Sequence, residues 1–152
     1  MSITACSGRA ELTPSGKGLP GASVRFPSRT EPGSVHTATL TVDNPGPGDI
    51  ATLAVSFGRV GGPAAQGLPN PLVDPGRTPD SGSIVAVRPA PTGAAPDVVY
   101  RFGPLSEEGT TTIEFEVRVP RAPGFAASSV TVYDDVEPTR ARGLPLETTV
   151  EG

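Results

Sequence analysis

The sequence predicts an all-β protein: an antiparallel sandwich of about seven to nine short strands joined by long Pro/Gly-rich loops. Three observations predict it. Apolar residues recur at every second position, most plainly where Ile113, Phe115, Val117 and Val119 alternate with Thr112, Glu114, Glu116 and Arg118. Glycine and proline occur 19 times each, and they punctuate the patterned segments without interrupting them. The longest stretch free of both, Phe125 to Glu137, lacks helical spacing, so no segment can serve as the crossover helix of a parallel sheet.

Taken in chain order, residues 1–21 form an irregular arm in which only Ala10–Leu12 reads as an edge strand. A single domain spans residues 22–152. Its first strand is marked by Ala22, Val24 and Phe26. In the second, Ala38, Leu40 and Val42 alternate with threonines, and after Asn44-Pro45-Gly46-Pro47-Gly48-Asp49 the pattern resumes at Ala51, Leu53, Val55 and Phe57. Pro45 and Pro47 cannot donate ladder hydrogen bonds, Gly46 and Gly48 tolerate positive φ, and Asn44 and Asp49 bond to nearby backbone. These six residues therefore read as a structural turn between paired strands. The stretch 58–83 has no periodicity and is a long loop. Beyond it, shorter strands centre on Val85 and Val87, on Val98, Tyr100 and Phe102, on Val130 and Val132, and on Leu144, Leu146 and Val150.

The chain has 152 residues, of which 36 % are hydrophobic and 5 % aromatic, with no Trp, so the core is built from Val, Leu, Ile and Ala. The formal charge is −4 and no basic stripe is present, which excludes the electrostatic footprint of nucleic-acid binding. No apolar run approaches the roughly 20 residues of a membrane span. Arg outnumbers Lys eleven to one, the codon signature of a GC-rich genome. Cys6 is the single cysteine, so an intrachain disulfide is excluded. Its context, Ser2 to Gly8, has the small residues of a lipoprotein cleavage box but lacks the charged and apolar stretches that precede one.

Candidate chemistry is sparse. Gly16 to Gly21 matches G-x-G-x-x-G, but a strand pattern follows it where a phosphate site needs a helix N-terminus. His36, the only histidine, is in register with Ala38 and Leu40, and a nucleophilic triad would need a serine and an orienting carboxylate around it. No catalytic residue and no cofactor is expected. Asp43, Asp49, Asp134, Asp135 and Glu137 are the calcium candidates, because loops at one end of a sandwich bring carboxylates together.

The Thr/Val strand, then Asp43 to Phe57, and later Gly109 to Asp135 resemble the immunoglobulin-like β-sandwiches of bacterial surface proteins of the cell-adhesion-related type. There an Asn-x-Gly turn follows an early strand. The resemblance spans residues 34–135. It implies a spacer, adhesive or assembly part with no common catalytic residues. By elimination the sequence reads as a non-enzymatic structural or interaction protein. The first expected role is a decoration or cement protein on a bacteriophage capsid, at the virion surface. The alternative is an extracellular adhesion or spacer domain of a bacterial surface protein. The expected partners are protein subunits of the same assembly, including copies of this chain, and neither nucleic acid nor a membrane.

Overall fold

The computed structural model describes residues 20–58, 82–94 and 99–152. The arm, Cys6, the Ala10–Leu12 strand, most of the Gly16–Gly21 motif and nearly all of the 58–83 loop lie outside them.

Ten strands are present among the described residues, and no helix. They are β1 (Gly21–Arg25), β2 (Arg29–Thr30), β3 (Val35–Asp43), β4 (Leu53–Gly58), β5 (Ser83–Arg88), β6 (Gly93–Ala94), β7 (Val99–Arg101), β8 (Thr110–Arg118), β9 (Gly124–Asp134) and β10 (Glu137–Val150). One sheet runs β1-β3-β8-β5 and the other β2-β10-β9-β4-β7-β6. All pairings are antiparallel except β2 with β10. The sandwich expected from the alternation is the fold observed, and β2 and β6 are two-residue additions at sheet edges.

Parity along the strands builds the core. Ala38, Leu40 and Val42 of β3 and Ile113, Phe115 and Val117 of β8 face Leu53, Val55 and Phe57 of β4 and Val130 and Val132 of β9. With so few aromatics, the three rings that meet at the centre matter. Phe115 packs edge-on against Phe57 at 5.1 Å and against Tyr100 at 5.4 Å, joining the two layers. The entering strand is divided between the sheets: β1 pairs with β3, and β2 pairs with β10. Pro27 lies at the break, where it has no N–H to continue the first ladder.

Two expectations are corrected. The Asn44–Asp49 turn does not join paired strands: β3 lies in the four-stranded sheet and β4 in the six-stranded one, so the turn carries the chain across the sandwich. Val85 and Val87 do not share a face, because a bulge between Ile84 and Ala86 shifts the register. Ile84 and Val87 pack on the core, and Val85 is 50 % exposed.

Candidate functional site

The crossing turn is a buried polar lock. Asn44 has no exposed surface. Its amide donates to the carbonyls of Gly48 (2.9 Å) and Leu105 (3.0 Å), and its Oδ1 accepts the N–H of Gly46 (3.0 Å). Gly46 and Gly48 adopt positive φ, +84° and +83°. Facing them, the 106–109 turn contributes Glu107, whose Oε1 accepts the Gly48 N–H and whose own N–H donates to Asp49 Oδ1. The structural reading of this turn agrees with the geometry.

The calcium candidates fall at the same end of the sandwich but have different surroundings. Asp134 is 1 % exposed and its carboxylate accepts the backbone N–H groups of Ala51, Thr52 and Val136 at 3.0 to 3.2 Å. It fixes the entry to β4 through these three bonds. Asp135 pairs with Arg101 at 3.0 Å. Asp49 holds the 106–109 turn and Asp43 leans over Gly21. Glu137 Oε2 is buried without a hydrogen-bond partner. Among the described residues no three of His, Cys, Asp and Glu are grouped to hold a metal ion.

His36 does meet a serine. Its Nε2 lies 2.9 Å from Ser34 Oγ, and the ring stands edge-on to Phe26 at 6.1 Å. The arrangement is not that of a nucleophile and its base. A hydroxyl has one proton, and Ser34 gives it to the Glu31 carbonyl at 2.6 Å. Nε2 must therefore donate to Ser34 and has no lone pair to take a proton from it. Glu31 Oε1 approaches the same nitrogen at 3.8 Å, whereas an orienting carboxylate holds Nδ1.

Among the described residues, a groove of about 420 Å³ with a buried apolar floor opens at the edge of the sandwich. Leu53, Phe102, Leu105 and Ile113 form its buried floor, and Pro89 and Ala90 stand exposed at its rim. It exists because β5 is shorter than the strand it pairs with. β8 runs from Thr110 to Arg118, but β5 accompanies it only from Arg118 to Glu114. Pairing stops at Arg88 because Pro89 and Pro91 offer no N–H. The stretch Thr110–Ile113 is therefore paired with β3 on one side and not with β5 on the other, where Thr110, Thr111 and Ile113 line the groove. This site was not anticipated from the sequence, although the signal was there: a nine-residue alternating strand beside a candidate partner cut short by Arg-Pro-Ala-Pro.

No family model matches the chain, and no curated protein is similar to it in sequence. Solved structures are similar in fold. A family 123 glycoside hydrolase from Clostridium perfringens matches at 11 % identity with a TM-score of 0.54, over 88 % of this chain and 27 % of that one. The secreted serine protease VesC from Vibrio cholerae matches at 17 % identity and a TM-score of 0.50, over 86 % of this chain and 23 % of that one. A CARDB domain from Pyrococcus furiosus, solved with di-metal ions, matches at 11 % identity and 0.50 over 93 % and 97 %. This chain is an immunoglobulin-like β-sandwich. It spans about a quarter of the glycoside hydrolase and of the protease. In the order of its four-stranded sheet, β1-β3-β8-β5, it follows the ABED arrangement of that fold. No helix among the described residues is long and apolar enough to cross a membrane.

Proposed function

We propose that the chain is a non-catalytic interaction domain, used as a spacer or adhesive module of a bacterial surface or secreted protein. One observation carries this reading: among the described residues, Asp134, Asn44 and His36 are committed to the architecture. Asp134 and Asn44 tie down the crossing turn, and His36 donates to a serine whose proton is already given away. A groove with a buried apolar floor lies beside a strand edge that is unpaired among the described residues, which suits protein contact better than turnover. The fold likenesses to the secreted protease and to the glycoside hydrolase, each a larger chain of which the match covers about a quarter, support use as a module. Decoration of a capsid, the role that elimination put first, has no parallel among the three structures described above.

Crosslinking mass spectrometry in cells of the source organism tests the assignment. Crosslinks to envelope or secreted proteins are expected. Crosslinks to a capsid lattice would replace this role with decoration of a virion, and ester or glycoside turnover lost on His36→Ala would overturn the non-catalytic reading.

A further inference from the structure

We propose that the Thr110–Ile113 edge of β8 receives an extended segment of a partner protein, apolar at alternate positions and carrying Lys or Arg at the end beside Glu107 and Glu108. The inference rests on the reading of the chain as an interaction domain and names where and how that contact is made.

In an antiparallel sheet each residue points its N–H and C=O to one side, so every second residue from Thr110 to Ile113 presents both groups to the groove. No hydrogen bond fills them from the groove side among the described residues. An added strand that continues the line of β5 past Arg88 would satisfy them, and the apolar floor would take its alternate side chains. Leu53 and Ile113, each 1 % exposed, keep the floor apolar, so a polar side chain placed against it without a partner would be penalised.

Charge specifies the end of the segment. The chain passes from the Phe102–Leu105 wall to the β8 wall through the 106–109 turn, which closes one end of the groove. Asp49, Glu107 and Glu108 are all exposed at this turn, and no cation pairs with any of them among the described residues. A basic residue on the incoming segment would meet this uncompensated charge, which favours encounter and fixes register.

The test uses the whole 152-residue chain and three synthetic peptides. One alternates Val and Thr with Lys at both ends, one replaces the Lys with Glu, and one scrambles the alternation while keeping the Lys. Hydrogen exchange should slow about tenfold or more at groove-facing amides within Thr110–Ile113 with the first peptide. The Glu-ended peptide should bind at least about fivefold more weakly, and the exposed Glu108→Lys substitution should reverse that preference. The scrambled peptide should leave the exchange unchanged. Ala90→Trp, at the exposed rim, should plug the groove and abolish binding while the melting temperature stays near that of the parent. Unchanged exchange at Thr110–Ile113, or undiminished binding to the Ala90→Trp chain, overturns the inference. A negative peptide result alongside surface-protein crosslinks removes this site and keeps the proposed role, whereas His36-dependent turnover removes the role and leaves the peptide result to stand on its own.

Discussion

On the outer side of the four-stranded sheet Thr37, Thr39, Thr41, Glu114, Glu116 and Arg88 are exposed or half-buried, whereas on the outer side of the six-stranded sheet Ala54, Ser56, Val99 and Tyr133 are buried. The first is the ordinary condition of a sandwich, one face on the core and one in water. The second sheet is buried on both faces along β4 and the end of β9, with Tyr133 packed against Ala54, Val99 and Ala141 in a cluster separate from the main core. Side-chain parity therefore decides which face a residue occupies, but not whether that face meets solvent.

The difference makes a strong prediction for paired substitutions. Tyr133→Ala removes a ring that is 2 % exposed and should cost about 3–5 kcal/mol. Thr39→Ala, outward on β3, should change stability by less than about 1 kcal/mol. Urea denaturation of both variants measures this, provided the slopes agree with the parent. Losses of equal size would break the distinction between the faces.

The ends of the two sheets differ in the same sense. Asp134 closes β9 as a buried acceptor of three backbone N–H groups, while Asp43 closes β3 in solvent. Asp134→Ala strands those donors and should cost about 3 kcal/mol, against less than about 0.5 kcal/mol for Asp43→Ala. Calcium should leave the melting temperature of the parent unchanged, since Asp134 is already committed. A calcium-dependent rise lost in both variants would show a metal shared between the two ends.

Much of this was legible beforehand, and what was missed has physical causes. Period-two alternation found β3, β4 and β8 because each presents one apolar row to a single core. It did not show that β3 and β4 lie in different sheets, because a proline-rich turn ends a strand whether the chain then pairs with its neighbour or crosses the sandwich. The double burial of β4 and β9 was visible in Leu53–Phe57 and Ala126–Tyr133, which carry no charged side chain, while the outward positions of β8 carry Glu114, Glu116 and Arg118. Asp134 was read as a calcium candidate because a carboxylate bound to backbone N–H groups and one bound to a cation look alike in a sequence; in the structure it accepts backbone N–H groups. The groove depends on the relative lengths of β5 and β8, and thus on register, which a bulge had shifted.

Tyr100 probes where the layers meet. It belongs to β7 of the six-stranded sheet and stands edge-on to Phe57 at 6.3 Å and to Phe115 of the opposite sheet. Burial raises its phenol pKa above the ordinary 10.0, so the unfolded chain ionises first. Stability from this group is complete below about pH 10 and is lost as pH rises through the folded-state value. Tyr100→Phe should stay within about 1 kcal/mol of the parent at neutral pH and lose less stability above pH 10. Parallel alkaline unfolding curves would mean that the ring is not held between the sheets.

The smallest effect is expected on the solvated face. The Arg88 side chain is 53 % exposed and bonds to Glu116 and Glu114, which together raise its pKa above the already high guanidinium value. An exposed ion pair gains little, because water screens the charges and two long side chains lose freedom. Arg88→Ala should lower the melting temperature only slightly at low salt, chiefly by leaving Glu114 and Glu116 to repel each other across one residue of β8. Raising the salt should shrink the difference, since exposed charges are screened within a Debye length of about 3 Å at 1 M. A loss that persists undiminished at high salt would assign the contribution of Arg88 to its aliphatic stem lying along β8, and the polar face would then be stabilised partly by packing, as its counterpart around Tyr133 is.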